Sequence, residues 1–384
     1  MNLRLVAVVA LKEWREIVRD RLFFALAFVV PSALMLLIGF GLSLDVKDIP
    51  LAIADYDQTM LSRDYVRRFA DSRYFAFHGY ARHEKELEQL ILNNTLRAVI
   101  VIPPGFERQL RNGRPAQVQT WIDGTFPLRA VSTKAYVAAI NAAMSIDSVA
   151  AQVSNALGIS ADRARVMLQP IRVETRYLYN QEARSIWSVA PKLIMVILML
   201  APPFLTAMGV VREKESGAIY NLYSSTLSRS EYLVGKLLPY VGISILNALA
   251  LTALAIFLYG APFKGDPLFF FVSTVVYVVC TAGIGLLVSV LVDTQIAAMV
   301  ATAVVTVVPA LLYSGMIIPI PSLSAVATVI AHLLPGMYYA EIVIGSFLKG
   351  VGFAELWGSL LILGVYAGAL FCAGLVAFSK RPAR

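Results

Sequence analysis

Hydrophobic residues gather along this chain into blocks of about twenty, the length a helix needs to cross a bilayer. The first block runs from Leu22 to Leu42. Five more follow in the second half, at Ile186 to Val211, Leu233 to Tyr259, Leu268 to Val292, Ile296 to Ile318 and Trp357 to Phe378. The pattern predicts an α-helical membrane protein with six transmembrane helices, the last five within 186–378. A further apolar stretch over 323–347 is broken by Pro335-Gly336 and holds His332 and Glu341. It reads as a re-entrant helical hairpin rather than a seventh span, because ionisable groups and a helix break at membrane depth need protein or water around them.

Ahead of the first block, in residues 1–21, Val8, Leu11, Trp14, Val18 and Leu22 recur at steps of three and four, and Lys12, Glu13, Arg15, Glu16, Arg19 and Asp20 fill the remaining positions. This is the period of an amphipathic helix. Lying in the membrane interface, it would set Trp14 at headgroup depth and keep Arg15, Arg19 and the other charges in water.

Between 45 and 184 the pattern changes. Short runs of β type (Leu51 to Ala54, Phe75 to Tyr80, Ala98 to Ile102, Gln117 to Asp123, Ile171 to Tyr177) alternate with helical patterns such as Glu84 to Asn93. A long segment free of Pro and Gly, Leu128 to Leu157, reads as one helix stopped by Gly158. The expectation is an inserted mixed α/β domain of ordinary size.

Composition sharpens this reading. The chain of 384 residues is 58% hydrophobic and only 15% charged, against about 25% charged in average chains, so water is not its main solvent. Its two cysteines, Cys280 and Cys372, sit in apolar blocks and offer neither a disulfide framework nor a zinc site. The net charge of +8 comes without a basic stripe interleaved with exposed aromatics, which argues against nucleic acid. Its distribution sets topology instead. With the N-terminus inside, short flanks on that side hold Arg4, Lys12, Arg15, Arg19, Arg21, Arg212, Lys214, Arg229, Lys236, Lys380, Arg381 and Arg384, and the opposite short loops hold Lys264 and Lys349. By the positive-inside rule both termini are cytoplasmic and the inserted domain is extracytoplasmic.

Motifs for chemistry are missing. There is no G-x-x-x-x-G-K-[ST], so ATP is not hydrolysed here by a P-loop, and no H-E-x-x-H or G-x-S-x-G. Gly283-x-Gly285 lies inside a span and reads as close helix packing. The informative stretch is the loop over 212–232, a charged turn followed by a short amphipathic helix with Ile219, Leu222 and Tyr223 on one side and a capped re-entry at Ser228. Such an element can dock onto a partner and pass its movement to two spans.

The run Arg212-Glu213-Lys214-Glu215-x-Gly217, followed by Ser228-Arg229-x-Glu231 and Gly235-Lys236-Leu237-Leu238-Pro239-Tyr240, resembles the motifs of ABC-2 type transporter permeases, in the subgroup with a large extracytoplasmic domain between the first two spans. Ser314-Gly315 with Pro319, and Pro335-x-x-Tyr338 through Gly350, extend the resemblance over the membrane part. It implies a permease subunit of an exporter in the bacterial inner membrane, with no cofactor of its own. ATP and Mg would be bound by a cytosolic ABC ATPase, a second permease copy or a homologous permease would complete a dimer, and a periplasmic membrane fusion protein and an outer-membrane channel are frequent further partners. The residues from Arg212 to Lys236 named above correspond to the ATPase-coupling element.

Polar or kinking residues at lipid depth mark the candidate pathway or gate: Pro202, Pro203, Pro309, Ser314, Gly315 and Glu341, with Lys192, Asn247 and Asp293 also of interest. Proline in a span frees backbone carbonyls and bends the helix. Rival readings are a secondary transporter, which predicts inverted repeats and buried acids, a mechanotransmitter that moves no substrate, and an anchored extracytoplasmic enzyme.

Overall fold

A computed structural model describes residues 2–41, 45–81, 83–169, 176, 178–218 and 227–377. The chain divides into two compact units, Met1–Leu44 with Tyr177–Arg384, and Asp45–Arg176.

The first unit begins with α1 (Leu3–Arg19), capped by the Asn2 side chain. Asp20 leaves the helical region (φ −87°, ψ 110°) and its carboxylate accepts from Phe23 N, so the chain turns an elbow into α2 (Arg21–Phe24), a π turn (Ala25–Val29) and α3 (Val30–Gly41). Pro31, in the first turn of α3, has no N–H for the carbonyl of Ala27 four residues before it. Asn247 Nδ2 donates to Ala27 O at 2.7 Å and meets that need. Farther along, Gly39 lies so close to the Tyr259 ring that a Cβ would overlap it.

The second unit is organised on a four-stranded sheet of order β2-β1-β3-β4, with β1 (Ile49–Asp55), β2 (Phe75–Tyr80), β3 (Ala98–Ile102) and β4 (Gln119–Ile122). The first three strands are parallel and β4 is antiparallel to β3. Alternation along β1 sends Leu51 and Ile53 to one face and Ala52 and Ala54 to the other. The large pair meets Tyr65, Val66 and Phe69 of α4 (Met60–Ala70), Phe106 of α6 (Phe106–Arg111) and Val137 and Met144 of α7 (Pro127–Leu157). The alanines leave space for Leu87, Leu90 and Ile91 of α5 (Glu84–Leu92). The sheet is therefore a middle layer, and each fully buried large side chain contributes roughly 1.5–3 kcal/mol. Asp147 ties α7 to Arg68 of α4 at 2.8 Å and to Arg165 of α8 (Ala161–Leu168) at 3.0 Å. Gly158, at φ 64°, ends α7 in the left-handed conformation that glycine adopts without cost. The expected fifth β run, Ile171 to Tyr177, lies almost wholly outside the described residues.

Returning to the first unit, the chain continues with α9 (Ser185–Glu215), α10 (Arg229–Ala253, extended by a π turn to Leu258), α11 (Pro267–Leu291), α12 (Gln295–Tyr313) and, after the hairpin, α15 (Phe353–Ala377). These five helices are long and apolar enough to cross a membrane. Two short helices, α13 (Ala325–His332) and α14 (Pro335–Ile344), which a π turn extends to Lys349, meet at 84° across a break beside Pro335-Gly336. Counting that bent pair as one span gives six, and Ala25–Gly41 forms a shorter apolar helix. The core of the unit runs along α9, most of whose side chains are buried.

Candidate functional site

Helix α9 stays helical through Pro191, Pro202 and Pro203 and ends at Glu215, with Gly217 in a left-handed turn at φ 73°. Its last four residues reach four different elements. Arg212 pairs with Asp20 at the α1–α2 elbow, at 2.9 Å. Glu213 pairs with Lys12 of α1 at 2.8 Å and with Lys236 of α10 at 3.1 Å, and accepts from the Tyr232 hydroxyl. Lys214 donates to Ser289 O at 2.6 Å and Val292 O at 3.2 Å, filling carbonyl positions that the end of α11 leaves open. Glu215 accepts from Gln295 Nε2 at 2.7 Å and faces the start of α12, where a carboxylate is favoured.

A second tier lies behind these contacts. Lys236, 1% exposed, also binds Glu13 of α1 at 2.9 Å, and Glu13 accepts from the Tyr240 hydroxyl. Two glycines make the approach possible. A Cβ on Gly235 would come within 2.8 Å of Val9 Cβ, and one on Gly209 would overlap Tyr240. Ser228 and Glu231 form a capping box at the start of α10, and the second Glu231 oxygen accepts from Asn2 N at 2.6 Å. Arg229 is exposed beside them.

The expectation that all charges of α1 face water is corrected at Glu13. The helix buries Val6, Glu13 and Ile17 and exposes Leu3, Val8, Leu11, Trp14 and Val18. The acid lies on the arc that packs against protein, and an adjoining apolar arc is left outward beside Arg15 and Arg19. Burial by itself draws the Lys12 amine down, and its hydrogen bond and ion pair with Glu213 more than offset this, leaving it raised. The carboxylates of Glu13, Glu16 and Glu213 lie within 4.8 Å of one another, the spacing of a metal cluster. Lys12 and Lys236 already supply the positive charge that this cluster requires.

Of the expected coupling residues, Arg212, Glu213, Glu231, Gly235 and Lys236 meet α1 or its ends, Lys214 and Glu215 reach α11 and α12 instead, and Arg229 stays exposed. Ile219, Leu222 and Tyr223 lie outside the described residues. Lys12, Glu13, Tyr232 and Gln295 enter the site without having been singled out from the sequence. For Glu13 a signal was available, since it shares a helical phase with Val6 and Ile17.

The pathway candidates lie apart from this cluster. Pro202 and Pro203 are buried, and a Cβ on Gly285 of α11 would overlap the Pro203 backbone, so Gly283-x-Gly285 does serve close helix packing. Pro309 lies inside α12. Ser314 is buried and donates to Ala310 O, and Gly315 O accepts from Lys192 at 2.9 Å, a second lysine of α9 that caps a neighbouring helix. Glu341 is exposed on α14 and accepts from Ser359 Oγ at 2.7 Å. The hydroxyls of Thr206 and Thr302, on α9 and α12, are buried without a hydrogen-bond partner among the described residues.

Comparison with known proteins bears on this arrangement. Residues 21–376 match the family described as ABC-2 family transporter protein. The chain is 27% identical over 351 residues to the "Probable multidrug ABC transporter permease YbhS" of Escherichia coli (strain K12), covering 91% of this chain and 90% of that protein. It is 24% identical over 370 residues to the "Probable multidrug ABC transporter permease YbhR" of the same organism, covering 96% and 97%. The "Linearmycin resistance permease protein LnrN" of Bacillus subtilis (strain 168) is 22% identical over 366 residues, covering 92% and 94%. Permeases of this kind are multi-pass membrane subunits whose ATPase is a separate partner, so the chain is not itself an enzyme. The long apolar helices, the lack of a nucleotide motif and the match over nearly the whole length lead to one assignment: the chain belongs to the ABC-2 family of transporter permeases.

Proposed function

We propose that this chain is the transmembrane permease subunit of an ATP-driven exporter of the bacterial inner membrane, moving a lipophilic or drug-like substrate out of the cytoplasm or the inner membrane. Both termini are cytoplasmic, the Asp45–Arg184 domain is extracytoplasmic, and Arg21–Gly41 with the five long helices makes six spans, the hairpin over 323–347 being re-entrant. A second permease completes the route, a cytosolic ABC ATPase drives it with ATP and Mg, and a membrane fusion protein and outer-membrane channel fit as further partners. The names of the relatives support the substrate class. The positive-inside distribution supports the topology.

One observation carries the proposal. Arg212, Glu213, Lys214 and Glu215 are successive residues that reach α1, α10, α11 and α12. Any force applied to the loop after Gly217 is delivered to four elements at once, which suits a subunit worked by a separate engine. Pathway opening would then fall along α9 and α12, where Pro202, Pro203, Pro309, Ser314 and Gly315 lie, with Glu341 at the hairpin.

The test is purification of the chain with its native neighbours, followed by reconstitution and uptake of a lipophilic fluorescent dye. The expected result is a co-eluting ABC ATPase, ATP-dependent dye movement, and loss of dye-stimulated hydrolysis in a Glu213→Ala, Glu215→Ala variant that still folds. ATP-driven conformational cycling without dye movement would favour a transmitter over an exporter. Full transport in the absence of any ATPase would overturn the reading.

A further inference from the structure

The side chains that tie the cytoplasmic ends together fall into two sets of different character. Helices α9, α11 and α12 are joined by contacts with little freedom: Gly285 closes onto the Pro203 backbone, Lys214 caps α11, and Glu215 holds the start of α12. Helices α1 and α10 are joined equally closely, by Gly235 against Val9 and by Asn2 N on Glu231. The two sets also pack directly, with Gly209 of α9 against the Tyr240 ring of α10 and Leu205 and Met208 in one cluster with Ile17 and Ile243, and a buried charge cluster lies one helical turn beyond that contact. Lys236 Nζ stands 2.9 Å from Glu13 and 3.1 Å from Glu213, and Glu213 is also 2.8 Å from Lys12.

A buried charge is costly to leave alone, but exchange between two cationic partners, the half-exposed Lys12 and the buried Lys236, leaves Glu213 paired. Glu213 can shift along α1 between Lys12 and Lys236 while one ammonium group remains with it. That exchange needs Lys236 to stay in place when Glu213 moves away, and Glu13 is the group that keeps it there, with Tyr240 on the other carboxylate oxygen. We propose that Glu13 is a positioning residue for coupling: acting through Lys236, it makes the interface helix α1 part of the path by which movement of α9 reaches α10. The proposal rests on the reading of the chain as an ATPase-driven permease.

The experiment uses the full chain purified with its co-eluting ABC ATPase, in lipid nanodiscs, with Cys280 and Cys372 replaced and spin labels at Val8 on α1 and Ile296 on α12, both exposed. The distance between the labels is measured by pulsed electron resonance with and without ATP and vanadate. In the parent complex the distance changes with nucleotide. In Glu13→Gln the resting distance and ATPase binding are retained, and the ratio of stimulated to basal hydrolysis falls about tenfold, within the usual range of coupling between sites. Where Glu13→Gln fails to fold, the neutral pair Glu13→Gln with Lys236→Met, which leaves Glu213 on Lys12, is measured instead and is expected to be folded and uncoupled. A nucleotide-dependent distance change and full stimulation in that pair would overturn the role of Glu13 alone. An ATPase bound to a parent whose label distance ignores nucleotide would overturn it as well. Failure of any ABC ATPase to co-elute with the parent chain would instead refute the permease reading, and this proposal with it.

Discussion

Lys236→Met offers the sharpest test of the charge cluster. The substitution nearly preserves length and apolar volume while removing the cation between Glu13 and Glu213, at side-chain exposures of 1%, 4% and 10%. Glu213 keeps Lys12 and Tyr232, so most of the cost falls on Glu13, which keeps the Tyr240 hydroxyl alone. Removing one member of a buried pair costs about 3–5 kcal/mol, because the orphaned charge loses its compensation. Neutralising Glu13 as well removes the orphan, so the double variant Lys236→Met, Glu13→Gln is expected to recover about 2–3 kcal/mol of that loss, a coupling of the size contacting residues show. The assay is SDS-titrated unfolding in mixed micelles, followed by tryptophan fluorescence, on the parent, both single variants and the double variant. A Lys236→Met cost below about 1 kcal/mol, the range of exposed ion pairs, or additive single costs, would refute the assignment of these groups to a buried, mutually dependent set.

Other substitutions probe different parts of the molecule. Gly285→Val forces a side chain into the Pro203 backbone and should destabilise the α9–α11 pair by about 1–3 kcal/mol or more, read as loss of monodisperse protein on size exclusion. Lys192→Met leaves Gly315 O without its donor. It should cost about 1–2 kcal/mol and raise hydrogen exchange at the end of α12 selectively. In the second unit, hydrogen bonds from the Thr125 side chain and backbone, followed by Arg97, hold the Asp123 carboxyl down at about 2. A depressed carboxyl stabilises the fold above its unfolded value near 3.9 and loses that contribution as pH falls towards 2. Acid titration followed at Trp121 should therefore show a transition below about pH 4 that is flatter in Asp123→Asn, and an unchanged acid limb would count against this network.

Local features of the fold were legible because their causes are local. Short runs of β type placed β2 and β3, Gly158 ended α7, and Ser228 with Glu231 announced the start of α10. The inner charge cluster was only half legible. Arg212 to Glu215 stand out as a charged run, but each finds its partner on a different element, and nothing in the run tells a docking surface from an internal tie. Glu13 looked like one more charge on the polar side of a helix. Which arc of α1 is covered depends on Gly235 and Lys236, more than two hundred residues away. Prolines 202 and 203 illustrate a different limit. Chemistry dictates freed carbonyls, but whether that space opens a route or admits a neighbour depends on Gly285, and here the neighbour comes close.

The π turn at Ala25–Val29 has a consequence of its own. It separates a helical segment whose Phe23 packs with Leu205, Met208 and Ile243 from one whose Gly39 abuts Tyr259. Winding the same residues as plain α-helix instead would rotate everything beyond it by about 100°, swinging Gly39 off its aromatic neighbour. The turn is therefore a phase shifter, and it lets a single helix present two correctly aimed faces to different stretches of its surroundings.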